Sequence, residues 1–256
     1  MDAAQLRAKI DQAIPVESVK FADLDWLDFD GENARFVDCT FAGAHLTGTN
    51  FTSAAFTRCQ FVRCRFSHAD LREAVFTDCQ LVDRDDPAGC VLAFSDLRQA
   101  RFVKCDLSLC EISQSDLYSV EMDECVLRGA RFHRVDFSHA YSRKVVRTRA
   151  TFRSCNLELV DLSGARMTGC DLTASRLRET DLTQTDLTEA VLRDCDLFKA
   201  TLTGTKLAGA DLRGAEISGL NLLDLASFQG IKITQGQQHV LLSGIGVDVH
   251  PQPGSG

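Results

Sequence analysis

Cysteine is the residue type in this chain most capable of chemistry, with eleven copies among 256 residues. Thiolates bind soft metals, close disulfides or attack electrophiles, so their spacing is weighed first. None forms a C-x-x-C pair, the spacing that zinc knuckles use. They stand at Cys39, Cys59, Cys64, Cys79, Cys90, Cys105, Cys110, Cys125, Cys155, Cys170 and Cys195. Twenty-residue separations put Cys39, Cys59 and Cys79 in one ladder and pair Cys90 with Cys110 and Cys105 with Cys125. Side chains from stacked layers run parallel and a reducing cytosol opposes disulfides, so these cysteines read as small buried hydrophobes. The histidines (His45, His68, His133, His139, His239 and His250) have neither H-x-x-x-H nor H-E-x-x-H spacing, and no G-x-x-x-x-G-K-[ST] loop is present to cradle phosphate. No nucleophile, base or metal set converges, so neither an enzyme nor a cofactor is expected.

The elements that position these residues follow a period of five. Large apolar residues occupy every fifth place from Phe36 to Leu81, from Leu92 to Phe137 and from Phe152 to Leu222, thirty-five positions without a polar substitute. The residue two before each is small, most often Ala or Cys, with one Leu as the exception, and every cysteine lies in that column. Between the two stands a polar residue, commonly Asp. A period of five fits neither an α-helix nor a strand, because every fifth residue would spiral around a helix and bury nothing. A chain that turns a corner every five residues resolves this. Four units close a square coil of twenty residues with the large and small residues inside, and coils stack at roughly 4.8 Å per layer. Sixteen of nineteen aromatic residues are Phe, which suits an interior of such centres.

The unit A-D-L-x-x resembles the pentapeptide-repeat family over roughly residues 34 to 224. That resemblance implies an all-β solenoid, a right-handed quadrilateral β-helix with short helical caps. Residues 1–33 are expected to cap the N-terminus, where Leu6, Ile10 and Ile14 have helical spacing up to Pro15. Residues 225–249 are expected to cap the other end with a short helix starting at Thr234 and ending at Gly244 or Gly246, before a flexible tail at 250–256. Some relatives dimerise through such a segment, which marks Val240, Leu241, Leu242 and Ile245 as cap or homodimer residues. The rhythm breaks near 82–91 and 141–150. The first contains Pro87 and Gly89 and lacks an interior residue, and in the second Ser142 and Arg147 stand where apolar residues belong, an unpaired buried Arg being too costly, so both breaks are expected to leave the rod.

Charge narrows the partner. With 28 Lys and Arg against 36 Asp and Glu the net charge is −8, which argues against direct nucleic-acid binding. No run is long enough to span a membrane, and the N-terminus lacks the apolar core of a secretory signal, so a cytoplasmic protein is expected. Family members that the chain resembles include proteins that protect DNA gyrase from quinolones or peptide toxins by imitating duplex DNA, with projecting loops touching the enzyme. Residues twenty apart share a face, which stacks Asp96, Asp116 and Asp136 in one column and Glu121, Asp161 and Asp181 in another. Duplex DNA as long as a ~45 Å rod carries about 26 charges, so mimicry here is at most partial. Arg101, Arg131, Arg166 and Arg176 also interrupt the acids. Candidate partner-binding residues are therefore the acids of the first column, the first break (Asp83, Arg84, Asp85 and Asp86, with solvated charges) and the basic second break (Arg143, Lys144 and Arg147). Two functions compete: a protein that binds gyrase or another topoisomerase, and a general interaction scaffold with an unidentified partner.

Overall fold

In the computed structural model, which describes residues 1–21, 24–142 and 145–248, the chain winds as a right-handed, four-sided parallel β-helix. The first face stacks Val16, Phe36, Phe56, Phe76, Phe102, Met122 and Phe152 in parallel register. The second carries Phe21, Phe41 and Phe61, and the third Leu46, Phe66, Leu92, Ile112 and Phe132. The fourth is joined by single bridges running Asp70–Asp96–Asp116–Asp136. Every expected centre is buried except Leu222, which packs half-buried on the core at the start of a 3-10 turn, Leu222–Asp224, where Asn221 accepts the Leu223 N–H.

Corners form because the residue two after a centre adopts a left-handed backbone, as at Arg58 (φ +51°) and Lys104 (φ +55°), at every centre except Leu81, Phe137 and Leu222. This turns its N–H onto the next coil, Arg58 N donating to the Thr77 carbonyl at 2.9 Å. The centre and the polar residue before it bond in opposite directions along the rod: Phe61 N donates to Gln80 O of the next coil at 2.7 Å and Gln60 N to Cys39 O of the preceding coil at 2.9 Å. Backbone polar groups are thus satisfied between layers, as a buried solenoid wall requires. Three-residue strands gather around Phe centres such as Phe36, Phe56, Phe76 and Phe102, whereas the Leu centres beyond residue 155 carry single bridges. The wall type follows position along the rod and not the centre alone, since Leu46, Leu92 and Ile112 also sit in three-residue strands.

Both breaks project as antiparallel hairpins. Val82–Asp83 pairs with Ala88–Gly89, and Ser138–Ser142 pairs with Val145–Thr148. Each sits inside a corner: Leu81 O accepts from Cys90 N at 2.9 Å, and Phe137 O from Arg149 N at 3.1 Å, where an unbroken corner bonds three residues on. The first hairpin leaves after a second-face centre and the second after a fourth-face centre, so they stand on diagonally opposite edges. At the ends, helix α1 (Ala3–Asp11) buries Leu6 over the first coil, while Ile14 lies outside it and is exposed. Parallel pairing already begins at Val16, inside the stretch expected to be cap. Helix α2 (Gln238–Gly244) covers the other end through Leu241. Among the described residues no helix is long and apolar enough to cross a membrane.

Candidate functional site

Asp96, Asp116 and Asp136 do share one column, with Asp70 above them. In each, Oδ1 accepts the backbone N–H two residues on, at Arg72 (3.1 Å), Arg98 (3.1 Å), Tyr118 (3.0 Å) and Ser138 (2.8 Å). The aspartates therefore hold corners first, the local backbone bonding that favours Asp in turns. Arg72 grips Asp70 through Nε at 2.8 Å and lies 3.7 Å from Asp96; Arg98 grips Asp96 and lies 3.6 Å from Asp116. Two guanidiniums thread three carboxylates and neutralise the upper part of the column. Sequence reasoning missed both arginines, whose signal was the repeated Asp-Leu-Arg of residues 70–72 and 96–98. Lower down, burial, together with Asp96 and Asp136 on either side, lifts the Asp116 carboxyl above its ordinary value. Asp136 is exposed.

The second expected column does not form. Glu121 pairs with Thr151 on the first face, whereas Asp161 and Asp181 follow Arg131 on the third. The hairpin consumes ten extra residues, so the register there is thirty rather than twenty and a fixed twenty-residue count picks the wrong neighbour. The same effect extends the cysteine ladder across the breaks: Cys79 N donates to Cys105 Sγ at 3.4 Å, as Cys59 N does to Cys79 Sγ. All eleven cysteines are buried and free, and among the described residues no group of His, Cys, Asp or Glu is disposed to hold a metal.

The first hairpin is clamped to the wall. Asp83 accepts the N–H of Asp85 at 3.0 Å and of Asp86 at 3.3 Å, and Arg63 Nε donates to it at 2.9 Å. Those backbone bonds and Arg63 hold the Asp83 carboxyl below its ordinary value. Arg63 also binds Asp86, and Arg84 reaches Asp106 at 3.2 Å. Asp83 is thus a largely buried turn-former and not a solvated surface charge, while Asp85 and Asp86 are exposed. Gly89 is obligatory, since a Cβ there would run into the backbone of Leu109 and Cys110.

The second hairpin borders the acidic column. His139, opposite Arg147 in its register, brings its ring 5.2 Å from that of Tyr118. A cleft of about 240 Å³ lies there, lined by Arg72, Glu73, Arg98, Gln99, Tyr118 and His139. Arg143 and Lys144 lie outside the described residues. The proposed site residues therefore fall on two separate surfaces, the fourth face with the second hairpin and the opposite edge with the first. At the C-terminal end Leu241 is buried, Val240 packs on the core, and Leu242 and Ile245 are half-buried. Thr234 N and Oγ1 both donate to Gln237 Oε1, whose amide in turn donates to the Leu212 and Ala215 carbonyls at 2.8 Å. Gln237 was not singled out from the sequence, yet it ties the cap to the last coil through two of its carbonyls.

This geometry has counterparts of known structure. A fluoroquinolone resistance protein, the plasmid-mediated QnrB1, shares the fold in its full-length form with a TM-score of 0.66, 24% identity, and coverage of 81% of this chain and 100% of its own. A trypsin-treated single-substitution variant of QnrB1 gives the same score and identity over 82% and 100%. HetL, a pentapeptide repeat protein involved in heterocyst differentiation regulation from the cyanobacterium Nostoc, is 19% identical over 90% of this chain and 98% of its own, with a TM-score of 0.42. No curated protein matches the chain in sequence. The family model for pentapeptide repeats matches in eight copies, first over residues 34–72 and last over 195–225. With its centres buried, its corners left-handed and that match spanning most of its length, the chain belongs to the pentapeptide-repeat family.

Proposed function

We propose that this chain is a non-enzymatic, cytoplasmic protein-binding rod whose partner is DNA gyrase or another topoisomerase, protected or modulated through the two hairpins and the acidic part of the fourth face. The observation that carries this reading is a fold shared with the whole of QnrB1, a fluoroquinolone resistance protein. Imitation of DNA is local in this reading. Arg72 and Arg98 neutralise Asp70 and Asp96 and reach Asp116, which leaves Asp136 beside the second hairpin, and on the first Asp85 with the exposed outer side of the Arg63-bound Asp86, as the acidic elements open to a partner. The half-buried Leu242 and Ile245 give the C-terminal cap a surface on which two copies can pair.

The test is a supercoiling assay with purified gyrase, with and without a quinolone, as the protein is titrated. The expected outcome is a dose-dependent change in supercoiling or in quinolone inhibition, weakened in an Asp85→Ala/Asp86→Ala variant and in one shortened across 143–149, most visibly at low salt. Asp83 is left intact because it forms the turn. If the parent leaves gyrase activity and quinolone sensitivity untouched, the topoisomerase reading fails. The threading of Arg72 and Arg98 through the carboxylates favours a second reading, an interaction scaffold whose partner does not read a phosphate-like charge row.

A further inference from the structure

The edge between the second and third faces, which also bears the first hairpin, carries a feature that does not rest on the topoisomerase reading. Leu109 and Leu159 stand at left-handed corners (φ +58° and +59°), with Gly129 at the corner between them. Both leucines are solvent-exposed, at 44% and 43%. A bulky apolar residue in this conformation strains the backbone and exposes oil to water, two penalties that Gly avoids at the neighbouring corner. The backbone strain is offset as at the other corners, Leu109 N donating to Arg128 O at 3.0 Å and Leu159 N to Arg178 O at 3.1 Å, but the exposure of the two side chains is not. The Leu109 side chain leans over Gly129, where a Cβ would come within 2.9 Å of its Cδ2.

The first hairpin rises from this same edge, one layer above Leu109. Between them lies a surface cleft of about 260 Å³, with Val82, Pro87 and Leu109 as apolar walls and a polar lining in which Arg84 and Arg128 alternate with the more buried Asp83 and Asp106. That volume suits one large side chain and not a small-molecule cofactor. The rim has a defined polarity. Arg84 is 64% exposed over Asp106 at 20%, and Arg128 is 57% exposed over Glu158 at 26%. In both pairs the carboxylate is tucked against the wall and the guanidinium faces out. Asp85 and Asp86 lie at the hairpin tip, beyond this rim.

We propose that this cleft is a docking site for an acidic segment of a protein partner, which seats one aliphatic or aromatic side chain against Val82, Pro87 and Leu109. Glutamates or aspartates flanking that anchor meet Arg84 and Arg128, and the segment continues along the edge to Leu159. Apolar anchoring with a guanidinium rim is a recurrent division of labour at protein interfaces, and exposed aliphatic patches on charged surfaces mark such sites.

Fluorescence anisotropy on the full chain tests this with three labelled synthetic peptides: a central Phe-Leu pair flanked by glutamates, the same pair flanked by lysines, and glutamates flanking a Ser-Ser pair. The first is expected to bind at least about tenfold tighter than the other two. Leu109→Asn with Leu159→Asn is expected to weaken the first peptide about tenfold without lowering the melting temperature, because Asn tolerates the left-handed corner. Arg84→Glu with Arg128→Glu is expected to reverse the preference towards lysine flanks. The site is refuted if the first peptide binds no tighter than the others, or if its affinity survives the double Asn substitution.

Discussion

Single residues in the small inward column do more than fill space. Thr180, Thr185 and Thr205 donate their hydroxyls to the carbonyls of Leu157, Leu162 and Leu182 at 2.7, 2.8 and 2.7 Å. Cys79 and Cys105 donate their thiols in the same way to Phe56 and Phe76 at 3.3 Å. Cys therefore substitutes for Thr as a donor as well as for Ala in volume, which its scattering through the column reflects. Burial pushes the Cys110, Cys170 and Cys195 thiols up to about 12, since a thiolate there would lose its hydration. The folded protein at about pH 8 is expected to resist alkylation, and all eleven thiols to react once it is unfolded in urea without reductant. Modification of the native state, or fewer free thiols after unfolding, would contradict a core made of reduced cysteine. The pH dependence has a definite sign. A thiol raised in the fold contributes stability that is complete below its ordinary value of 9.0, and that stability declines as pH climbs towards about 12. Urea midpoints measured from neutral pH upwards check this.

At the scale of elements, coil register and hairpin seating depend on features of unequal legibility. The thirty-five centres and their small partners could be read directly, because burying one face at every fifth residue leaves no other repeating geometry. How many residues each hairpin withdraws from its coil could not be, since pairing partners are set by the closing bonds of Cys90 and Arg149 and not by composition. That is why Asp96, Asp116 and Asp136 were placed correctly, on the near side of the second hairpin, and Glu121 was assigned the wrong neighbours across it. The arginine threads escaped because residue type alone does not say which side of a corner a long side chain takes. Hairpin seating gives a sharp prediction at Gly89. Ala there must displace the backbone of the next coil, which cannot yield as a flexible side chain would, so the cost is expected to be about 2–3 kcal/mol. Gly164 is the control: it has φ +69° and open space where a methyl would project, so Ala costs only the left-handed backbone penalty of about 1 kcal/mol. Urea unfolding of Gly89→Ala and Gly164→Ala compares them, and equal losses would mean that the first hairpin is not seated on Leu109 and Cys110.

Across the whole molecule the interior changes character along its length. Phe36, Phe56, Phe76 and Phe102 stack face to face with centroids 5.1, 4.7 and 4.7 Å apart, and Phe41 stacks on Phe61 at 4.7 Å. Phe56 also meets Phe41, Phe51 and Phe61 edge-on, so it is the hub of the N-terminal half. Beyond Phe152 the centres are nearly all Leu, which pack without oriented ring contacts. A solenoid touches only its neighbouring layers, so damage in one half need not weaken the other equally. Phe56→Leu removes a ring from both the stack and the edge contacts and leaves a void that the flanking rings fill only in part, which is expected to cost about 1–3 kcal/mol. Amide hydrogen exchange locates the loss. Protection should fall in the coils around Phe36, Phe56 and Phe76 and persist in those from Leu162 to Leu212, because the damaged layers can open while the leucine stack stays closed. A uniform fall over both halves would mean that the rod opens as one cooperative unit, and unchanged stability would mean that Phe56 is not the hub of the aromatic column.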